Sequence, residues 1–132
     1  MNSPLWDKIF RLLAIVIVVD RKVFVEEIEA FIASVTALNK TIGDPSLRQN
    51  MIFDWYLQHR DSLMERVEAN DVEVEIYALI PALNALPEKN RIIEAMRAIS
   101  AADGHYHERE IAVVNLAARF WGEACPDFTL EA

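Results

Sequence analysis

The run LLAIVIVV at residues 12–19 constrains the fold more than any other stretch of the chain. Consecutive apolar residues leave a segment no face to offer to water, so it must be enclosed on every side. A membrane span needs about 20 such residues, and this run stops at Asp20-Arg21-Lys22. A secretory signal would instead close on small residues at a cleavage site. The segment reads as a buried core helix of a globular protein, apolar all round because other helices surround it.

The rest of the chain can supply those helices. Hydrophobic residues make up 53% of the 132 and there are only 3 glycines, which excludes a disordered chain and disfavours many short strands joined by turns. Ser3 is a plausible N-cap with Pro4 in the first turn, and Ile9, Leu13, Val16 and Asp20 follow one helical face. Residues 25–39 repeat the pattern with Ile28, Phe31, Ile32, Val35 and Leu38. TIGDPS at 41–46 is a break, with Gly43 as a C-cap and Asp44 before Pro45 opening the next helix. Residues 46–68 are expected to be helical in two pieces around QHRD, and Asn70-Asp71 marks a boundary. A helix from Val72 to Ala85 should bend or begin anew near Pro81. Pro87 and Glu88 suit the first turn of a helix over 88–102, and a last helix covers 107–121 before Gly122 and a short tail. The expected class is all-α: one domain over 1–132, a bundle of about six to seven helices.

Charge limits the partners. A net charge of −8, with no basic cluster longer than Arg21-Lys22, argues against nucleic acid and against anionic lipid headgroups engaged through the general surface. Cys125 is the single cysteine, so neither an internal disulfide nor a cysteine-based zinc site can form. A reducing, cytoplasmic setting is the expectation.

One motif occurs twice. AADGHYHEREI at 101–111 echoes VVDRKVFVEEI at 18–28, so that Asp20 aligns with Asp103, Glu27 with Glu110 and Ile28 with Ile111. Each copy reads apolar helix, Asp, a short step, Glu, apolar helix. The chain thus uses one helical hairpin twice, around 5–39 and 88–121, and two pseudosymmetric halves are expected, followed by the tail 122–132.

The bland account of this motif is helix punctuation: Gly104 ending one helix, His107 as N-cap of the next, and Glu110 reaching back as in a capping box. Arg21, Lys22, Arg97 or Arg109 would then neutralise the acids. Three features oppose it. His107 and Phe24 stand where a capping box prefers Ser, Thr or Asp. Asp20 and Asp103 sit at helix C-termini, where the macrodipole disfavours an anion. All four carboxylates also continue apolar stripes: Asp103 closes Ile92-Met96-Ile99, Asp20 closes Ile9-Leu13-Val16, Glu110 opens Val114-Ala117-Trp121 and Glu27 opens Phe31-Val35-Leu38.

Like charges gathered in a partly dry place must protonate, pair with bases or bind a cation. Oxygen donors select a hard divalent ion such as Ca²⁺, Mg²⁺ or Mn²⁺. The spacing is not that of an EF-hand, because Gly104 directly follows Asp103. His105 and His107 would suit Zn²⁺ or Ni²⁺, but Lys22 and Phe24 replace them in the first copy, and they read as exposed loop histidines. Elsewhere, FDWYLQHRD at 53–61 gathers aromatics that read as core, and Trp6 or Trp55, if exposed, would mark a partner surface. No phosphate-binding glycine loop or nucleophile elbow is present in the sequence.

At the duplicated motif the chain resembles the TerB-like family, the helical domain associated with tellurite resistance and similar to the N-terminal region of a membrane-anchored J-domain co-chaperone. AISAADGHYHEREIAVVNLA at 98–117 closely matches the family's Ala-x-Ala-Asp-Gly pattern with Glu seven positions after the Asp, and ALPEKNRIIEAMRA at 85–98 resembles the usual lead-in. LLAIVIVVDRKVFVEEIEAFI at 12–32 looks like a degraded copy, with Arg21 where Gly is typical. The resemblance spans roughly residues 5–121. It implies a bundle of about seven helices in two pseudosymmetric halves, with acidic residues proposed to bind metal. By motif match these are Asp103 and Glu110, and by the weaker copy Asp20 and Glu27. It implies no enzymatic activity.

The expected function is therefore a non-enzymatic, cytoplasmic domain that binds a divalent cation through paired acids and acts in a stress response or as a scaffold. Two alternatives stay open: a purely structural protein–protein interaction module without metal, and a metal-dependent hydrolase built on His105, His107 and Glu110. A protein partner and peripheral membrane association are compatible with each, and the oligomeric state is not legible.

Overall fold

The computed structural model describes residues 3–19, 25–69, 72–84, 89–104, 107–126 and 128. These form six helices and no strand among the described residues: α1 (Ser3–Val18), α2 (Val25–Ile42), α3 (Gln49–Ala69), α4 (Val72–Leu83), α5 (Lys89–Ser100) and α6 (Glu108–Phe120). The all-α expectation holds.

α1 is the axis of the bundle. It packs against each of the other five helices, and every residue from Leu12 to Val19 is buried. A side chain of Leu, Ile or Val gains about 1.5–3 kcal/mol on full burial, so this run makes α1 the strongest organising element of the core. At its start, Trp6 is fully buried, stacked on Phe10, and its indole N–H donates to Asp44 Oδ2 at 3.0 Å. Trp6 is thus no partner surface: its amphipathic ring is spent tying α1 to the α2–α3 connection.

That connection differs from expectation. Gly43 ends α2 with a left-handed φ of 77° and its N–H on Asn39 O at 2.7 Å, as a C-cap should. Asp44, however, does not open α3. It accepts from the Ser46 N–H and hydroxyl, and the Asn39 side chain brackets its backbone with two bonds of 2.8 Å. The turn consumes residues 43–48 and α3 starts at Gln49.

From there α3 runs unbroken through QHRD to Ala69, not in two pieces. The segment holds neither Gly nor Pro, and Ile52, Tyr56, Leu63 and Val67 keep one buried stripe through it. The polar residues at 58–61 occupy the solvent side of one continuous helix. Likewise α4 continues through Pro81 to Leu83 without beginning anew. In the last turn a proline forfeits one backbone hydrogen bond, and the helix ends two residues later in any case.

α5 closes at Ser100, earlier than its apolar pattern suggests. Bonds from Ala101 N to Arg97 O, Ala102 N to Ile99 O and Gly104 N to Ala101 O carry the chain down through a tight turn, where Gly104 takes φ 87°. α6 ends in a Schellman closure, with Glu123 N on Ala118 O (2.9 Å) and Gly122 N on Arg119 O (3.1 Å).

Candidate functional site

Four helix ends meet at one pole of the bundle. Arg109, at the start of α6, donates from Nη1 to Val19 O at the end of α1, 3.2 Å away. α2 starts at Val25, and α5 ends at Ser100 just before the turn that holds Asp103. The Arg109 guanidinium therefore caps a helix C-terminus, where a cation suits the macrodipole.

Glu27 is the third residue of α2 and Glu110 the third residue of α6, and both are fully buried. Their neighbours Glu26 and Glu108 are exposed. The positive end of a helix dipole favours an anion at this position by a few tenths to about 1 kcal/mol. That is small against the several kcal/mol of desolvation a buried carboxylate incurs. Burial of both, at corresponding positions of the two motif copies, is what the continued apolar stripes predicted.

Asp103 lies in the turn between α5 and α6, with its side chain only 6% exposed. His107 Nε2 meets its Oδ2 at 2.8 Å. Against an ionised carboxylate, which can only accept, that nitrogen must carry the proton, so Nδ1 is the acceptor in the neutral ring. His107 is consequently not the exposed loop histidine expected from sequence: its side chain is 30% exposed and tethered to Asp103. It does occupy the N-cap position of α6, with extended φ −97° and ψ 140°, but makes no side-chain cap bond. Asp103 has drawn the imidazole away from the helix end. Arg97 pairs with Glu94 on the exposed side of α5.

Tyr56 is a member of this neighbourhood that the sequence did not flag. Its ring is fully buried on α3 against Phe31, one turn beyond Glu27. Its hydroxyl makes no hydrogen bond to any described residue. Burial raises its pKa above 10.0; Arg60 opposes that, and the Glu27 and Asp61 carboxylates reinforce it. A helical aromatic stripe announces a core position but says nothing of where a phenol oxygen lies.

The neighbouring aromatics divide. Trp55 is half-buried, donates to Asp7 Oδ1 at 3.0 Å and stacks on His59 at 4.3 Å between ring centroids. Phe53 and Leu57 are exposed, which corrects the reading of this whole cluster as core.

Of the four predicted acids, Glu27, Asp103 and Glu110 lie among the described residues, each withdrawn from water, while Asp20 lies outside them, as does His105. Among the described residues no group of three or more His, Cys, Asp or Glu could by itself hold a metal ion. The donor chemistry nevertheless suits a hard cation, since three acids are wholly or nearly withdrawn from water. No described helix is long and apolar enough to cross a membrane.

An all-helical bundle marked by withdrawn carboxylates at paired helix starts defines a recognisable class of small domain. The chain belongs to the TerB family: the family model described as tellurite resistance protein TerB matches residues 7–128. Comparison with curated proteins and with solved structures returned no match.

Proposed function

We propose that this TerB domain is a non-enzymatic, cytoplasmic cation-binding module of a tellurite-type stress response, serving as a scaffold whose shape is stabilised by the ion. Asp103, Glu110 and Glu27 would hold a divalent ion, with Asp20 completing the set. Ca²⁺, Mg²⁺ or Mn²⁺ fits these oxygen donors best. The observation that carries the reading is the complete burial of Glu27 and Glu110 at corresponding positions of a duplicated hairpin. A cation offsets the desolvation of such carboxylates as a group. The Asp103–His107 pair supports it too, as carboxylate ligands are commonly held in place by a hydrogen bond.

The test is a thermal-melt panel with Ca²⁺, Mg²⁺, Mn²⁺ and Zn²⁺ after chelator treatment, on wild type and on Asp103→Asn/Glu110→Gln. At about 100 times its dissociation constant, an ion bound only by the folded state adds about 2.7 kcal/mol of stability. A wild-type rise of several degrees that the double variant lacks supports the site and identifies its ion. With no rise for any ion, and a variant at least as stable as wild type, the domain would be a metal-free interaction module.

A further inference from the structure

α6 has a second working face. Glu110, Val114 and Ala117 turn inward, whereas Arg109, Ala112, Leu116 and Arg119 follow a three-four-three spacing on the outer side. Between that face and α4 runs a groove made of two joined depressions of about 290 and 450 Å³, which share Glu73, Leu116 and Arg119. Its floor is apolar, with Val72, Val113 and Leu116. At its far end Tyr77 and Phe120 lie with ring centroids 5.7 Å apart, exposed by 46% and 47%. No described element covers these rings.

The charge of the groove runs against that of the molecule. In a chain of net charge −8, the described residues that line it include two arginines against one carboxylate, Glu73. Neither arginine forms an ion pair with a described residue: Arg109 donates to Val19 O and Arg119 to Asn115 O. Ten residues apart on a helix, they stand about 15 Å from each other along the axis. Two unneutralised guanidiniums flanking an apolar floor, with an exposed aromatic pair beside it, make a surface that complements an apolar stripe ending in acids.

We propose that the α4–α6 groove docks an acidic amphipathic helix of a partner protein, its apolar side chains on Leu116 and against Tyr77–Phe120 and its carboxylates on Arg109 and Arg119. Helix-in-groove recognition anchors through such apolar side chains, and arginine pairs with carboxylates bidentately. Charge decides among occupants. A second copy would bring its own net charge of −8 against this one. An anionic bilayer would meet the same long-range repulsion with only the two groove arginines to overcome it. A short acidic segment brings only a few negative charges, so it meets the least of that repulsion and can set its carboxylates on the two arginines. The groove reaches the acidic pole at Val19 and Arg109, but nothing in this docking depends on an ion bound there, so it stands if the cation reading fails.

The test uses a fluorescein-labelled helical peptide with a Leu-Phe stripe between glutamates about ten residues apart, and a control with lysines in their place. Anisotropy should show saturable binding of the acidic peptide alone, weakened on the order of tenfold or more by Arg109→Glu/Arg119→Glu and by high salt. Arg119→Glu and Tyr77→Ala, both at exposed positions, repeat the test should the double variant fold poorly. Amide shifts in an NMR titration should cluster on residues 72–77 and 109–120. Four results would overturn the proposal: no binding of the acidic peptide, equal binding of the lysine control, shifts elsewhere on the surface, or unchanged affinity in the variants. A dimer dissolved by the same substitutions would make a second copy the occupant. Binding to phosphatidylserine vesicles through the same arginines would make it a lipid surface.

Discussion

Glu27 is a buried acid beside exposed ones, and that contrast sets what its substitution should do. Glu27→Gln keeps the shape of the side chain while removing its capacity for charge, so its melts are read without and with the ion. With the ion present, the same variant should lose the stabilisation that wild type gains; a Glu27→Gln protein with the full ion-linked rise would place Glu27 outside the site. Asp7 tests a different balance. Burial, the largest single influence, pushes its pKa up, yet hydrogen bonds from Arg11 and Trp55 with the charges of Arg11 and His59 outweigh it, and the net direction is down from 3.8. A carboxyl depressed in the folded state stabilises it above the unfolded pKa, and that contribution vanishes as pH falls through the folded value. Urea melts should therefore show Asp7→Asn less stable than wild type at neutral pH, with the gap closing below pH 3.8. The Asp7 side chain is 38% exposed, so the effect is small and salt-sensitive. A gap independent of pH would mean that the loss is steric.

At the scale of elements, the turn from α5 to α6 shows how local rules yield to a site. Three steps of descent and a left-handed Gly104 place Asp103 where it meets His107, and the helix start goes without a side-chain cap. A Cβ on Gly104 would touch nothing within 4 Å, so the obstacle to substitution there is conformational, not steric crowding. Gly104→Ala should cost about 1–2 kcal/mol, and Gly104→Asn less, because asparagine tolerates that region better. Chemical denaturation reads both, and equal losses would argue against a backbone origin. α3 shows the converse. QHRD looks like an interruption because it is polar, but residues 58–61 hold neither Gly nor Pro, and the one capping residue type, Asp61, points to solvent without breaking the helix.

For the whole molecule, the central fact is that α1 touches all five other helices. Losing packing on α1 loosens every layer at once, so unfolding should be a single cooperative transition. Ile15, fully buried in the middle of the run, should lose about 2–5 kcal/mol on truncation to alanine. That is a large part of the 5–15 kcal/mol typical of a domain. Circular dichroism and tryptophan fluorescence should report one coincident melt in both proteins. A biphasic melt of Ile15→Ala would mean that the two hairpins hold together independently of α1.

The sequence by itself determined the all-α class, the burial of residues 12–19, most helix positions, and the inward facing of Glu27 and Glu110. Each of these follows from periodicity or from an unbroken apolar run, and both are local quantities. Membership of the TerB family was legible in the same way, through a motif of short fixed spacing. Only the tertiary structure decided which groups meet: Asp103 with His107, Trp6 with Asp44, Arg109 with the end of α1, and the Tyr56 hydroxyl in the same core neighbourhood as Glu27. It also left Phe53, Leu57, Tyr77 and Phe120 at the surface. The reason is physical. A helical pattern specifies the direction in which a side chain leaves its own axis, whereas a partner comes from another helix, at a height and angle set by how the whole bundle packs.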